Sequence, residues 1–175
     1  MIYKAVFWGI RFWNKVTCFF YTFIIKLLCC EYGNGLKVNG FSWFTKGVVT
    51  VGHNCNFNGM EIQAGKQSKI KIGNYFHSGK ECMIIAQNHN YEGSKIPYDN
   101  TYICKDVTIG DCVWLGTRVT ILGGVIIGEG AIIQAGSVVS SDIPPYAIAG
   151  GNPARVFKYR DIEHYKKLKK EKMFH

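Results

Sequence analysis

Apolar side chains recur along this chain with a period of six. Ile109, Leu115, Ile121, Ile127, Ile133 and Val139 stand six residues apart. Four positions after each come Val113, Val119, Val125, Ala131, Ser137 and Ile143. Neither the 3.6-residue period of an α-helix nor simple strand alternation produces a strict six. Short strands joined by fixed corners do. Each strand turns one apolar side chain inward, a small residue fills the corner, and glycine lets the chain turn. Glycine follows the aliphatic in Ile109-Gly110, Leu115-Gly116 and Ile127-Gly128. Three such faces, about 18 residues, close one triangular coil of a β-solenoid.

The same register appears earlier, in Val51-Gly52 with Phe57 and in Ile72-Gly73, Ser78-Gly79 and Ile84. The stretches do not join cleanly. An insertion is expected near Gly65 to Lys69, and a loop leaves the coil between Ala86 and Cys104. That loop is polar, aromatic and rich in turn formers, and an excursion from a rigid scaffold is a natural place for chemistry. After Ile143 the repeat is expected to stop at Pro144-Pro145, and Asp161 to Met173 reads as a short basic helix.

The first thirty residues follow another pattern. Lys4, Arg11, Lys15, Thr22 and Lys26 are separated by 7, 4, 7 and 4 residues, which is one stripe of an α-helix. The other faces carry Phe7, Trp8, Phe12, Trp13, Phe19, Phe20, Phe23 and Ile24. The longest uncharged stretch, Val16 to Ile25, is too short to span a bilayer as a helix. Two readings stay open. These helices cover an apolar face of the protein or its oligomer, or they lie in the plane of an acidic membrane. The expected organisation is an N-terminal amphipathic helical segment at 1–47, a β-helix domain at 48–158 with a loop protruding at 86–104, and a basic helix at 159–175.

Composition adds little to the fold and something to the partners. Hydrophobic residues make up 47% of the 175 residues and charged ones only 19%, which excludes a disordered chain. The formal charge of +9 calls for an anionic partner: nucleic acid, an acidic membrane surface or a phosphorylated ligand. No motif of a nucleic-acid-binding module supports the first. Seven cysteines, an odd number with no C-x-x-C pair, read as reduced thiols rather than as a zinc site or disulfide frame.

The segment Val113-Trp114-Leu115-Gly116-Thr117-Arg118-Val119-Thr120-Ile121-Leu122-Gly123-Gly124-Val125, with Ile127-Gly128-Glu129-Gly130-Ala131 and the ending Asp142 to Val156, resembles the signature of the hexapeptide-repeat acetyltransferases. The likeness runs from about residue 48 to 160 and is nearest to the sugar O-acetyltransferases of the galactoside, maltose, nodulation-factor and capsular or O-antigen kinds. It implies a mainly β fold, the left-handed parallel β-helix, and a homotrimer with an active site in each cleft between subunits. It implies acetyl-CoA as co-substrate, no metal, and a sugar hydroxyl as acceptor, in cytoplasmic surface-polysaccharide synthesis; the N-terminal apolar helices fit an enzyme working at the inner face of the cytoplasmic membrane. That acceptor would be free, lipid-linked or nucleotide-activated.

The resemblance also assigns residues. Asn88-His89-Asn90 is similar to the family's catalytic histidine segment, with His89 as general base. Trp114 matches a tryptophan lining the cleft, and the amide of Thr117 or Gly116 the donor to the thioester oxyanion. Ala135 and Ser140 match contacts to the pantetheine arm, and Arg155 and Lys158 the cations near the nucleotide. Ser141 stands where many relatives carry a lysine, and no carboxylate that would orient His89 is evident. Three other functions stay open: N-acetylation of an amino sugar, a non-catalytic trimeric scaffold, and a zinc enzyme of the γ-carbonic anhydrase kind using His53, His77 and His89.

Overall fold

The computed structural model describes residues 2–175, with side chains from Val6 onward. Lys4, the first cation of the N-terminal stripe, lies outside the described side chains. One continuous helix, α1 (Ile2–Leu28), leads into the coil. The first coil comprises β1 (Glu31–Tyr32), β2 (Lys37–Val38) and β3 (Trp43–Phe44). The second comprises β4 (Val49–Val51), β5 (Asn56–Phe57) and β6 (Met60–Gln63), and the third β7 (Ile70–Ile72), β8 (His77–Ser78) and β9 (Cys82–Ile85). A hairpin of β10 (Gln87–His89) and β11 (Tyr102–Cys104) interrupts the winding. It resumes with β12 (Val107–Ile109), β13 (Trp114–Leu115) and β14 (Thr120–Leu122), then β15 (Ile126–Ile127), β16 (Ile132–Ile133) and β17 (Val138–Val139). The chain ends in β18 (Ala147–Gly151), β19 (Ala154–Tyr159) and α2 (Ile162–Lys170).

Apart from the β10–β11 hairpin and the antiparallel β19, these strands stack in parallel into three sheets, the faces of a left-handed β-helix. The first face orders β1-β4-β7-β12-β15, the second β19-β18-β16-β13-β8-β5-β2, and the third β17-β14-β9-β6-β3. The register keeps like with like. Val51, Ile72, Ile109 and Ile127 align inside the first face. Phe44, Ile62, Ile84, Ile121 and Val139 align inside the third. All are buried. In the N-terminal coils the ladder switches to aromatic rings: Phe57 packs against Phe44 at 5.3 Å and Phe76 at 5.2 Å.

The glycines that follow the inward aliphatics have a packing reason. A Cβ on Gly52 would lie 2.7 Å from the Asn74 amide nitrogen, and one on Gly110 would lie 2.6 Å from that of Glu129. The backbones of successive coils approach too closely for any side chain. The corner bonds use this proximity: the Gly73 amide donates to Ile109 O at 2.8 Å and that of Gly110 to Ile127 O at 2.8 Å.

Four features differ from the expected outline. The ladder begins at Glu31, so a complete coil lies within the segment assigned to the N-terminal helices. The several helices expected there form one helix, whose C-terminal half packs one side on the core. Ile25 is fully buried, and the Thr22 hydroxyl accepts the Val38 amide at 2.9 Å, closing part of the open edge at β2. The loop at 86–104 opens as an antiparallel hairpin, because its polar residues pair with each other instead of with a coil. The repeat also continues past Pro144-Pro145: β18 remains parallel to β16 on the second face before β19 folds back. The insertion near Gly65 to Lys69 is a turn between β6 and β7, closed by the Ser68 amide on Gly65 O at 3.0 Å.

If coil spacing, and not a need for flexible backbone, requires glycine, Gly52→Ala should lower stability by about 1–3 kcal/mol. Gly9→Ala, with nothing within 4 Å of the added carbon, should raise it by up to about 1 kcal/mol through helix propensity. Thermal melts of the two variants check this; a neutral Gly52→Ala would refute the tight stacking.

Candidate active site

The hairpin arm leaves the coil at the end of the third face, directly after Ala86. His89 is exposed on β10, opposite Tyr102 in the antiparallel register. Its ring stacks on Tyr98 at 3.9 Å between centroids and leans on Tyr102 at 4.8 Å. The faces of the imidazole are thereby held while its nitrogen edge stays free: neither ring nitrogen has a protein hydrogen-bond partner among the described residues. Strand alternation turns Asn88 to the other side of the hairpin.

The arm is ordered by its own polar groups, chiefly Asp99. One carboxylate oxygen accepts the Ser94 amide at 2.9 Å, and the other accepts the Thr101 amide at 2.8 Å and the Thr101 hydroxyl. The Thr101 hydroxyl bond, with the two amides, holds the carboxyl down to about 2. Asn90 adds a bond from its amide side chain to Thr101 Oγ1 at 3.1 Å. Tyr98, Asp99 and Tyr102 are absent from the sequence expectations, although Asp99-Asn100-Thr101 carries the signal of an Asx turn.

The remaining expected residues gather elsewhere. Gly116 and Thr117 form the corner between the second and third faces, and Ala135 is the equivalent residue one coil on, so close that a Cβ on Gly116 would strike its amide. The Thr117 amide donates to no protein acceptor among the described residues. Arg155 is exposed opposite Gly150 at the far end of the second face, where the Gly151 amide bonds Ser137 of the same row of corners. Ser140 instead lies at the end of the third face, at the row of corners from which the arm springs. Trp114 and Lys158 sit within the second face, in the cross-strand row Trp114–Ile132–Ile148–Lys158.

One chain thus separates its candidate base from its candidate oxyanion donor. His89 and Ser140 belong to one edge of the third face, and Gly116, Thr117, Ala135 and Arg155 to the other. The described residues bring the two groups together on no surface of a single chain.

The three histidines weighed as zinc ligands are also dispersed. His53 is a corner residue whose Nδ1 accepts the Asn34 amide at 3.0 Å. His77 lies on the second face and His89 on the arm. No group of three or more His, Cys, Asp or Glu side chains converges among the described residues. Burial pushes the Cys55 thiol up to about 11, and its Sγ donates to Gly73 O at 3.1 Å, so it fills a corner as a small apolar residue.

A cavity of about 490 Å³ lies on the second face beneath the C-terminal tail, lined by Trp114, Tyr75, His77, Tyr165, Phe174 and His175. The tail is held by Phe174 stacked on Tyr75 at 4.0 Å. Burial, and then the nearby His175, lower the His77 pKa. The cavity includes Trp114 but neither His89 nor Thr117.

Residues 106–141 match the model of the bacterial transferase hexapeptide (six repeats). A maltose O-acetyltransferase of Clostridium difficile 630 superposes with a TM-score of 0.64 at 30% identity, over 79% of this chain and 73% of that one. The chain belongs to the hexapeptide-repeat transferases. Within that family, a galactoside acetyltransferase solved in complex with coenzyme A superposes with a TM-score of 0.68 at 28% identity, over 81% of this chain and 70% of that one. A chloramphenicol acetyltransferase of Klebsiella aerogenes is 33% identical over 109 residues, 53% of this chain and 52% of that protein. This hexapeptide-repeat chain spans 29% to 54% of the length of the first curated relatives it matches.

The Asp99 bonds set a pH window for the arm. A carboxyl with its folded pKa below the usual 3.8 adds stability above about pH 4 and loses it as pH falls towards 2. The ring-current shifts of His89 against Tyr98 should therefore persist down to about pH 4 and fade below it. In Asp99→Ala they should be weakened at every pH, with the melting of the coil unchanged. Unaltered shifts in Asp99→Ala would remove Asp99 as the organiser of the arm.

Proposed function

We propose that this chain transfers an acetyl group from acetyl-CoA to a saccharide hydroxyl, in a homotrimer whose sites form between neighbouring copies. The observation that carries the reading is the exposed His89 ring. It is clamped against two tyrosines with its nitrogens free, on a coil that superposes on a galactoside acetyltransferase solved with coenzyme A. The galactoside and maltose enzymes support a saccharide acceptor. A surface-polysaccharide acceptor at the inner face of the cytoplasmic membrane is the finer form of the proposal.

The residues fit such a donor. The corner built of Gly116, Thr117 and Ala135 is exposed or half-exposed, with the Thr117 and Ala135 amides unpartnered among the described residues and no bulky side chain. Arg155 supplies an exposed cation further along the same edge. Acetyl-CoA, when bound, supplies an acyl group that is already activated, so no covalent enzyme intermediate is needed. His89 takes the proton from the acceptor hydroxyl as its oxygen bonds the carbonyl carbon. The Thr117 amide faces the developing oxyanion; the Gly116 amide, expected as the alternative donor, is already given to Ile133 O at 2.8 Å. As the carbon–sulfur bond breaks, His89 returns its proton to the departing thiolate, which restores the neutral ring. Ala135 and Ser140 would border the pantetheine arm, Trp114 the cleft, and Arg155 and Lys158 the phosphates. Asn88, turned away from His89 on its strand, would act through the fold of the arm.

The placement of the two groups at opposite edges of the third face supports a site completed by a second copy. A head-to-tail contact that brings the arm of one copy to the Thr117 corner of the next closes into a ring. Static light scattering should accordingly give three times the chain mass; an active monomer would overturn the ring.

His89→Ala should lower coenzyme A release with a saturating saccharide acceptor by about 10²–10⁴-fold, without loss of coenzyme A binding. Near-equal rates on trimers of matched stability would remove His89 as the base. Mixed trimers of His89→Ala and Ala135→Trp, each inactive alone, should recover about a quarter of the parent rate, the chance that an intact arm meets an intact corner. No recovery would place the whole site on one chain. Offering matched hydroxy and amino sugars distinguishes O- from N-transfer.

A further inference from the structure

The N-terminal helix has two unlike sides, and only one is used by the coil. Cys18, Tyr21, Thr22, Ile25 and Leu28 pack against it: Ile25 is fully buried, and the Tyr21 ring meets Phe41 edge-on at 6.2 Å. At 100° per residue, Phe12, Val16, Phe19, Phe20, Phe23 and Leu27 fall on the opposite side. There they stand in open solvent, Phe12 at 68% and Phe19 at 78% exposure. From Val6 to Val16 every residue is exposed, and the turns before Asn14 project about 12 Å beyond the coil. The apolar side is far larger than a monomeric soluble surface tolerates, and it needs a cover.

The charges say which cover. No Asp or Glu occurs in α1. Lys15 and Lys26 run along the flank between the apolar side and the packed side, and Arg11 shares the azimuth of Cys18 and Thr22 further towards the N-terminus. Beside them, a groove of about 540 Å³ between the helix and β2 is lined by Lys15, Lys26 and Lys37, with no carboxylate. A second copy of the helix would bring the same cations together and gain no counter-charge. A layer that offers hydrocarbon below and phosphates at its surface satisfies both sides at once. No described helix is long and apolar enough to cross a membrane, which leaves the in-plane arrangement.

We propose that α1 is a lipid-binding element that lies in the plane of an anionic bilayer. Its Phe12–Phe19–Phe23 side enters the acyl region, and the groove of Lys15, Lys26 and Lys37 takes lipid phosphates. Since the helix covers the β1–β2–β3 end of the coil, the solenoid stands on the membrane by that end. In a closed ring of copies all the helices emerge on one side, and their weak attachments multiply. The proposal does not depend on the transfer chemistry.

The test uses the full chain and sedimentation with vesicles of phosphatidylcholine alone or with phosphatidylglycerol. The parent should bind the anionic vesicles and release them at high salt. Lys15→Gln with Lys26→Gln should weaken the partition about 30-fold. Lys170→Gln with Lys172→Gln, the same charge change at the C-terminal end of α2 and just past it, should leave it unaltered. Phe12→Ser with Phe19→Ser should abolish binding, and brominated acyl chains should quench a variant that retains Trp13 alone but not one that retains Trp114 alone. An equal loss from the two lysine pairs would reduce the effect to net charge and overturn the proposal. So would a parent that ignores both vesicles yet shrinks in light scattering on Phe12→Ser with Phe19→Ser, because the apolar side would then cover another copy.

Discussion

Every feature of this molecule depends on one constraint, the hydrogen-bond ladder between successive coils. A coil can donate to the next only if each face keeps the same length, and that fixes the six-residue step. The step fixes which side chains point inward, and the close approach of the backbones then demands glycine at Gly52, Gly73, Gly110 and Gly128. A solenoid of this kind is stable coil by coil: each turn contacts only its neighbours, and the two ends carry unmatched groups that other elements must cover. Helix α1 does so at one end. The β18–β19 hairpin does so at the other, and α2 is tied in by Lys169 on Glu129 at 2.6 Å.

The period was legible wherever aliphatics occupied the inward positions, which is why the coils from 70 to 143 could be read directly. The first coil carries the same step: Tyr32, Val38 and Phe44 are six apart. It was obscured because the inward residues change type and Tyr32 stays half-exposed at the open edge. Pro144-Pro145 was misleading in another way. Proline ends a ladder only where its missing amide is needed, and here the pair occupies a corner, with the strand resuming at Ala147. The site was legible in its parts and not in its assembly. The His89 segment and the Thr117 corner are local motifs, whereas their placement on opposite edges of one face follows from the winding. The tyrosines that clamp His89 come from the far strand and tip of the hairpin, and no local pattern in sequence marks such a partner.

Two different demands meet in the arm. A general base must be precise, yet the acceptor must reach it from solvent. Here precision comes from stacking on Tyr98 and from Asp99 gathering the backbone of the arm, which leaves the nitrogen edge open. The buried cysteines show the opposite environment: Cys55 and Cys82 spend their sulfur on corner carbonyls and have nothing free for chemistry.

The bond from the Val38 amide to Thr22 has a further consequence. A parallel coil with a bare end is a growing tip: its unmatched amides and carbonyls fit the end of any other coil of the same pitch, as strand edges do in fibrils. By seating a helix on that tip, the chain makes its own length finite. α1 is therefore also a terminator, and molecules in which it is displaced would present a surface on which end-to-end filaments could nucleate.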